Sequence, residues 1–207
     1  MRNPPAVFDN RYLKSITPEI EEDEEDEGVT VTESITPYEL MERGYHRIKG
    51  EIETEILNKI VESSPAKFER IVVDMLLGMG YGGSRKDAGR ALGKVGDEGI
   101  DGIIKEDILG LDIIYIQAKN WKAKVGRPEV QTFAGALQGK RAKRGIYITT
   151  SEFTPDAQDY VKGIDAKIVL IDGREMARLM IEYNVGVNVG EKFEVKKLDN
   201  DYFSDEA

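Results

Sequence analysis

Cysteine is absent from the 207 residues, and histidine occurs once, as His46. Without Cys there is no disulfide framework, zinc ribbon, thiol nucleophile or iron–sulfur ligation. One His provides no imidazole cluster for a metal and little room for a Ser-His-Asp triad. Any metal chemistry must therefore rest on oxygen ligands. No apolar run approaches the roughly 18 residues that a membrane span needs. The opening Met1-Arg2-Asn3-Pro4-Pro5 lacks the apolar stretch of a signal peptide. The expected compartment is the cytoplasm, with no membrane partner. With 40% apolar residues, the chain is long enough for one domain with a real core, plus extensions.

Basic residues are outnumbered, 29 Lys+Arg against 39 Asp+Glu, for a formal charge of −10. The excess is not evenly spread. Residues 1–64 carry −9, 65–189 carry +2 and 190–207 carry −3. Inside the central stretch the positive charge gathers at Lys119, Lys122, Lys124 and Arg127, and again at Lys140, Arg141, Lys143 and Arg144. Two such patches suit a phosphate backbone; the plain alternative is ordinary solvated surface.

Glu19 to Glu27 is acidic at every position except Ile20. A like-charge block cannot bury enough apolar area to offset its ordering entropy, so residues 1–34 read as a mostly disordered acidic linker. Thr36-Pro37-Tyr38-Glu39 is a helix start with a capping box. The helix it opens carries Met41, Tyr45, Ile48, Ile52, Ile56 and Ile60 as one apolar stripe, long enough to want a partner helix or a sheet face. His46 borders that stripe as a polar edge residue. Ser64-Pro65 opens a second helix with Phe68, Ile71, Val72, Met75, Leu76 and Met79 as its apolar face, ending at Gly80. Glu69 reads as its first-turn acid, favourable to the helix dipole. Residues 80–99, with seven Gly, read as a long loop. Strands at about 100–105 and 111–119 are followed by a helix from Arg127, a strand at 145–150, a helix from Thr154, a strand at 167–171 and a helix from Gly173 to Tyr183. The order α, α, β, β, α, β, α, β, α implies an α/β fold: a mixed sheet with helices on both faces.

Two motifs are decoys. Gly78 to Gly83 matches G-x-G-x-x-G, but a helix rather than a strand precedes it. Asp97 to Ile108 starts like a calcium loop, yet its third and twelfth positions are Gly99 and Ile108. The informative residues are Asp101 at the start of one strand and Gln117-Ala118-Lys119 at the end of the next. Period two puts Ile114, Ile116 and Ala118 on one face and Ile113, Tyr115, Gln117 and Lys119 on the other. A hairpin through Glu106–Gly110 would place residue 101 opposite the 115–117 region. A carboxylate, a second oxygen ligand and a Lys together meet the needs of metal-assisted phosphodiester hydrolysis. In this reading Asp101 and Gln117 hold Mg2+, Lys119 orients the attacking water, and Glu69 adds a carboxylate through a water. The competing reading leaves Lys119 as a strand end in solvent.

The segments FERIVVDMLLGMGYGG (68–83), GDEGIDGII (96–104), IYIQAKNW (114–121), VGRPEVQTFAGAL (125–137), IYITTSEFTPDA (146–157) and IVLIDGREMARLMIEYNVGV (168–187) resemble the catalytic domain of the Mrr family, the type IV restriction endonucleases. That family belongs to the PD-(D/E)xK nucleases. The resemblance implies a restriction-endonuclease-like sheet in α-β-β-β-α-β order. It matches Asp101 to the metal-binding Asp, Gln117 to the place of the Asp/Glu, Lys119 to the catalytic Lys and Glu69 to the acid of the first helix. Gln117 carries one negative charge less than the superfamily pattern, although Gln is usual in the Mrr branch. On this basis residues 35–189 form the endonuclease domain, with a long helix at 37–62 and a catalytic core at 64–189, and 190–207 form an acidic extension. Asn3 to Lys14 resembles the linker after an N-terminal winged-helix-like recognition domain, so the chain is expected to start beyond it.

The implied function is a Mg2+-dependent endonuclease domain, with Mn2+ as an alternative ion, acting on double-stranded DNA that carries a modification. The expected DNA contacts are Lys122, Lys124, Arg127, Lys140, Arg141, Lys143 and Arg144, and the expected assembly is a homodimer or higher homo-oligomer. The alternatives are another PD-(D/E)xK nuclease, such as a repair nuclease or junction resolvase, and a catalytically silent DNA-binding module.

Overall fold

The computed structural model describes residues 35–82, 99–106 and 112–204. The acidic lead, most of the Gly-rich loop and the 107–111 connection lie outside the described residues, so the readings placed there are not addressed. Contacts divide the chain into Met1–Leu40 and Met41–Ala207. The described part of the first unit is residues 35–40, the N-cap and opening turn of helix α1 (Pro37–Val61).

The capping box forms as read. Glu39 N–H donates to Thr36 Oγ1 at 3.3 Å, and the Glu39 carboxylate accepts the Thr36 N–H at 2.7 Å. These bonds hold the Glu39 carboxyl below its ordinary pKa. Helix α2 (Pro65–Gly78) starts on Ser64, whose Oγ accepts the Lys67 N–H at 3.3 Å. Because Pro65 is its first residue, Glu69 falls beyond the first turn, and its expected interaction with the helix dipole is not available there.

Four strands form one sheet in the order β1-β2-β3-β4, with β1 at Gly102–Lys105, β2 at Ile113–Lys119, β3 at Arg144–Thr149 and β4 at Lys167–Ile171. The first pair is antiparallel, and the Glu106 N–H to Asp112 O bond at 2.9 Å closes it. The other two pairs are parallel and are joined by α3 (Arg127–Gly139) and α4 (Pro155–Lys162). Helix α5 (Gly173–Glu182) follows β4.

The period-two pattern of β2 sorts its side chains as expected. Ile114, Ile116 and Ala118 join one core with α1, α2 and α5, through Ile56, Ile60, Phe68, Val72, Met75, Leu76, Met176 and Met180. Tyr115 and, from β3, Tyr147 face a second core with Val130, Phe133 and Leu137 of α3 and Ala157 of α4. Full burial of such side chains contributes about 1.5–3 kcal/mol each, so the two cores dominate the energetics. Gly145 is required where α3 crosses β3: a Cβ there would stand 2.8 Å from Leu137 and from the Phe133 ring.

The apolar stripe of α1 is only partly used. Ile56 and Ile60 are buried, while Met41, Tyr45, Ile48 and Ile52 are exposed. The fully buried residues lie in the last two turns of the helix, and Lys49, Gly50 and Glu53 before them are half-buried on the side away from the exposed stripe residues. His46 is exposed, 3.8 Å from Glu42 and edge-on to Tyr45, as a polar residue beside the stripe. Residues 188–204 are exposed throughout and irregular apart from a short 3-10 turn at Asp201–Phe203. Among the described residues no helix is long and apolar enough to cross a membrane.

Candidate active site

The register of the hairpin decides what meets Asp101. Gly102 pairs with Ile116, and the Asp101 N–H donates to Ile116 O at 2.9 Å, which sets residue 101 across from Gln117. The paired register of β1 with β2 ends at Gly102, and this backbone bond is its continuation at residue 101. The Asp101 carboxylate adds to it: Oδ2 accepts the Ala118 N–H at 2.8 Å and also the Gln117 side-chain amide. Lys119 Nζ stands 3.7 Å from the same oxygen. Asp101, Gln117 and Lys119 thus converge at the C-terminal end of β2, where ligands bind in open α/β sheets.

Gln117 is 2% exposed. The buried polar side chains among the described residues are Gln117, Thr149 and Thr150, all at this end of the sheet. Thr149 pairs directly with Lys119, and Tyr147 with Gln117. Buried polar groups are the informative exception in a protein interior. Thr150 is bonded to Asn120 and Trp121 and Thr149 accepts the Ser151 N–H, whereas Gln117 is turned to Asp101. Tyr147 lies edge-on between Phe133 and Phe153. Burial, then the charges of Glu129 and Asp101, push its hydroxyl pKa up. Glu129 caps α3 by accepting the Gly126 N–H at 3.0 Å.

In front of Gln117 the backbone is bare. Gly99 has φ +91°, a conformation that L side chains rarely adopt, and a Cβ there would stand 3.5 Å from Gln117 Oε1. The donor set is therefore one carboxylate and one buried amide oxygen, with the amide nitrogen of Gln117 turned to Asp101 and its oxygen to Gly99. It suits a single hard divalent cation, which needs oxygen ligands and keeps several waters. Among the described residues no three His, Cys, Asp or Glu side chains converge on a common point.

The expected contribution of Glu69 is not met by this arrangement. Glu69 is half-buried on α2, which packs against the opposite face of the sheet, and it makes no hydrogen bond or ion pair with the cluster. The two basic patches lie at opposite ends of the sheet. Lys122, Lys124 and Arg127 follow β2 at the cluster's end, although Lys124 is paired with Glu152 at 2.7 Å and Arg127 with Asp156 at 3.5 Å. Lys140, Arg141, Lys143 and Arg144 precede or open β3. Its five steps carry them about 17 Å to the other end of the sheet. There Arg144 binds Glu106 and Asp112.

The family model of the Mrr catalytic domain, described as a restriction endonuclease, matches residues 60–180. The chain belongs to the Mrr restriction endonuclease family. The type IV methyl-directed restriction enzyme EcoKMrr of Escherichia coli K12 is 45% identical over 168 residues, which cover 81% of this chain and 54% of that protein. The chain thus spans about half the length of this Mrr relative. Among solved structures, the DNA modification-dependent restriction endonuclease AspBHI aligns with a TM-score of 0.43 at 17% identity, over 65% of this chain and 36% of that one. The MspJI restriction endonuclease in complex with a 27-mer oligonucleotide aligns at 0.41 and 20%, over 78% and 36%.

One residue of this Mrr domain carries a role that its sequence does not announce. Asn120, directly after Lys119, donates its side-chain amide to Ile60 O, Val61 O and Ser63 O at 3.4, 3.4 and 3.2 Å. Its Oδ1 accepts the Thr150 hydroxyl at 3.1 Å. Asn120 thereby ties the end of α1 to the strand that carries Lys119. The available signal was a polar residue continuing the apolar face of β2.

Proposed function

We propose that this Mrr-family domain hydrolyses phosphodiester bonds in double-stranded DNA, with Mg2+, or Mn2+ in its place, held by Asp101 and Gln117. The observation that carries the reading is the convergence of the Asp101 carboxylate, the buried Gln117 amide and the Lys119 ammonium at one end of the sheet. When bound, the cation supplies charge to a phosphate oxygen and lowers the pKa of a bound water. Asp101 provides the charged ligand and is fixed for it by the Ala118 N–H. Gln117 adds a neutral oxygen, so the pocket binds one ion more readily than two. Lys119 holds the attacking water by a hydrogen bond and stabilises the negative charge that develops on the phosphorane-like transition state. Glu69 has no contact with the ion in this reading. Lys122, Lys124 and Arg127 meet the backbone of the bound duplex on the cluster's side, and the 140–144 group meets a more distant phosphate. The methyl-directed specificity of the 45% identical relative supports modified DNA as the substrate.

The test is relaxation of supercoiled plasmid, methylated and unmethylated, with and without Mg2+. The expected outcome is metal-dependent nicking that falls by about 10²–10³-fold in Lys119→Ala. Asp101→Asn should abolish it and also remove the calorimetric signal of Mg2+ binding in the presence of DNA. Lys119 adds little packing, so its variant should keep the wild-type melting temperature. Full nicking by a folded Lys119→Ala would refute the assignment. Absence of nicking by the wild type under all these conditions would favour the DNA-binding module.

A further inference from the structure

The N-terminal half of α1 presents an apolar face that stays exposed among the described residues. Met41 is 49% exposed, Tyr45 62%, Ile48 59% and Ile52 37%. Their spacings of four, three and four residues are those of the seam of a coiled coil. Gly44 and Gly50 lie in the same stretch, and a Cβ at either would meet nothing within 4 Å. Glycine in a helix interior lowers helix stability, and a helical segment with no tertiary packing is marginal in water. This stretch therefore needs a partner surface.

We infer that the face Met41–Tyr45–Ile48–Ile52 pairs antiparallel with the same face of a second copy of this chain. Charge decides both the occupant and the direction. With Tyr45 and Ile52 at a positions and Met41 and Ile48 at d, Glu42 and Lys49 fall at successive e positions. In an antiparallel pair each e residue faces an e residue of the partner, so Glu42 meets Lys49 of the second copy, and the two-fold axis repeats the contact. Met41 then layers on Ile52, and Tyr45 on Ile48. A parallel pair forms neither charge contact and sets Glu55, the next d residue, against itself. Gly44, at a g position, leaves room for close approach of the partner helix.

The absence of Cys makes the test direct. The full-length chain is measured by sedimentation equilibrium, then as Met41→Cys and Ile52→Cys single variants, alone and mixed, under oxidising conditions. The antiparallel pair brings residue 41 of one copy to residue 52 of the other and keeps the two residues 41 about 16 Å apart along the axis. The expected result is a dimer whose mixed variants form the 41–52 disulfide while Met41→Cys alone does not cross-link. Ile48→Lys, at an exposed position, should abolish the dimer with an unchanged melting temperature of the catalytic core. Lys49→Glu should weaken dimerisation about tenfold, and Glu42→Lys combined with Lys49→Glu should restore it. Cross-linking of Met41→Cys with itself would overturn the antiparallel arrangement. A monomeric chain at high concentration, or a dimer indifferent to Ile48→Lys, would overturn the inference and leave this face to another segment or a foreign partner.

Discussion

Replacing Asn120 by Ala removes a tie between two parts of the fold without touching the Asp101–Lys119 pair. The amide group has two hydrogens, shared among the carbonyls of Ile60, Val61 and Ser63 at 3.2–3.4 Å. At a net value of about 1 kcal/mol per hydrogen bond, the loss is about 2 kcal/mol. The Thr150 hydroxyl keeps Trp121 O at 2.9 Å, so that side leaves no orphaned donor and adds little. For a chain of this size each kcal/mol moves the melting temperature by about 2–4 °C, so Asn120→Ala should melt about 4–8 °C below the wild type. Thermal unfolding followed by circular dichroism measures this directly. Lys119 keeps its backbone bond to the Thr150 N–H at 3.2 Å, and nicking at a temperature well below both transitions should fall less than in Lys119→Ala. A shift under about 1 °C would refute the tie, because the three carbonyls would then be satisfied as well by water. A loss of nicking equal to that of Lys119→Ala, with no change in melting, would instead make Asn120 part of the chemistry.

Gln117→Glu adds a carboxylate beside Asp101 and should tighten Mg2+ binding in a calorimetric titration; unchanged binding would place residue 117 outside the ion's reach. Without metal the two carboxylates repel, which raises a folded-state pKa above its unfolded value. The variant should then gain stability relative to wild type as the pH falls from 7 towards 5, and Mg2+ should abolish that gain. Gly145→Ala forces a methyl to 2.8 Å from Leu137 and Phe133 and should cost about 1–3 kcal/mol, read as a lowered denaturation midpoint; a neutral result would mean that α3 is free to lift from β3. Removing residues 1–34, with 3 basic and 10 acidic side chains, should raise non-specific DNA affinity and steepen its salt dependence in filter binding. Equal affinities would mean that the acidic segment stays clear of the DNA.

What the sequence determined by itself is what short-range rules govern. The caps at Thr36, Ser64 and Thr154 depend on residues three apart, and all three form. The alternation along β2 follows from strand geometry, so Gln117 and Lys119 had to share a face and Ile114, Ile116 and Ala118 the other. The meeting of Asp101 with Gln117 was also legible, because a short hairpin transmits register from one strand to the next. The rest depended on long-range packing. Nothing local to α2 says which face of the sheet receives it, and that face separates Glu69 from the cluster. Lys119 to Arg127 and Lys140 to Arg144 are two clusters in the sequence, and only the packing shows that α3 returns the chain to the start of the parallel strand β3, at the opposite end of the sheet. The six-residue stripe of α1 carries no mark showing where intrachain burial stops, since periodicity records which residues share a face and not what covers it. For Asn120 the sequence shows only a polar residue continuing the apolar face of β2; the carbonyls it binds are 57 to 60 residues upstream, and only the packing of α1 against the sheet brings them within hydrogen-bonding distance.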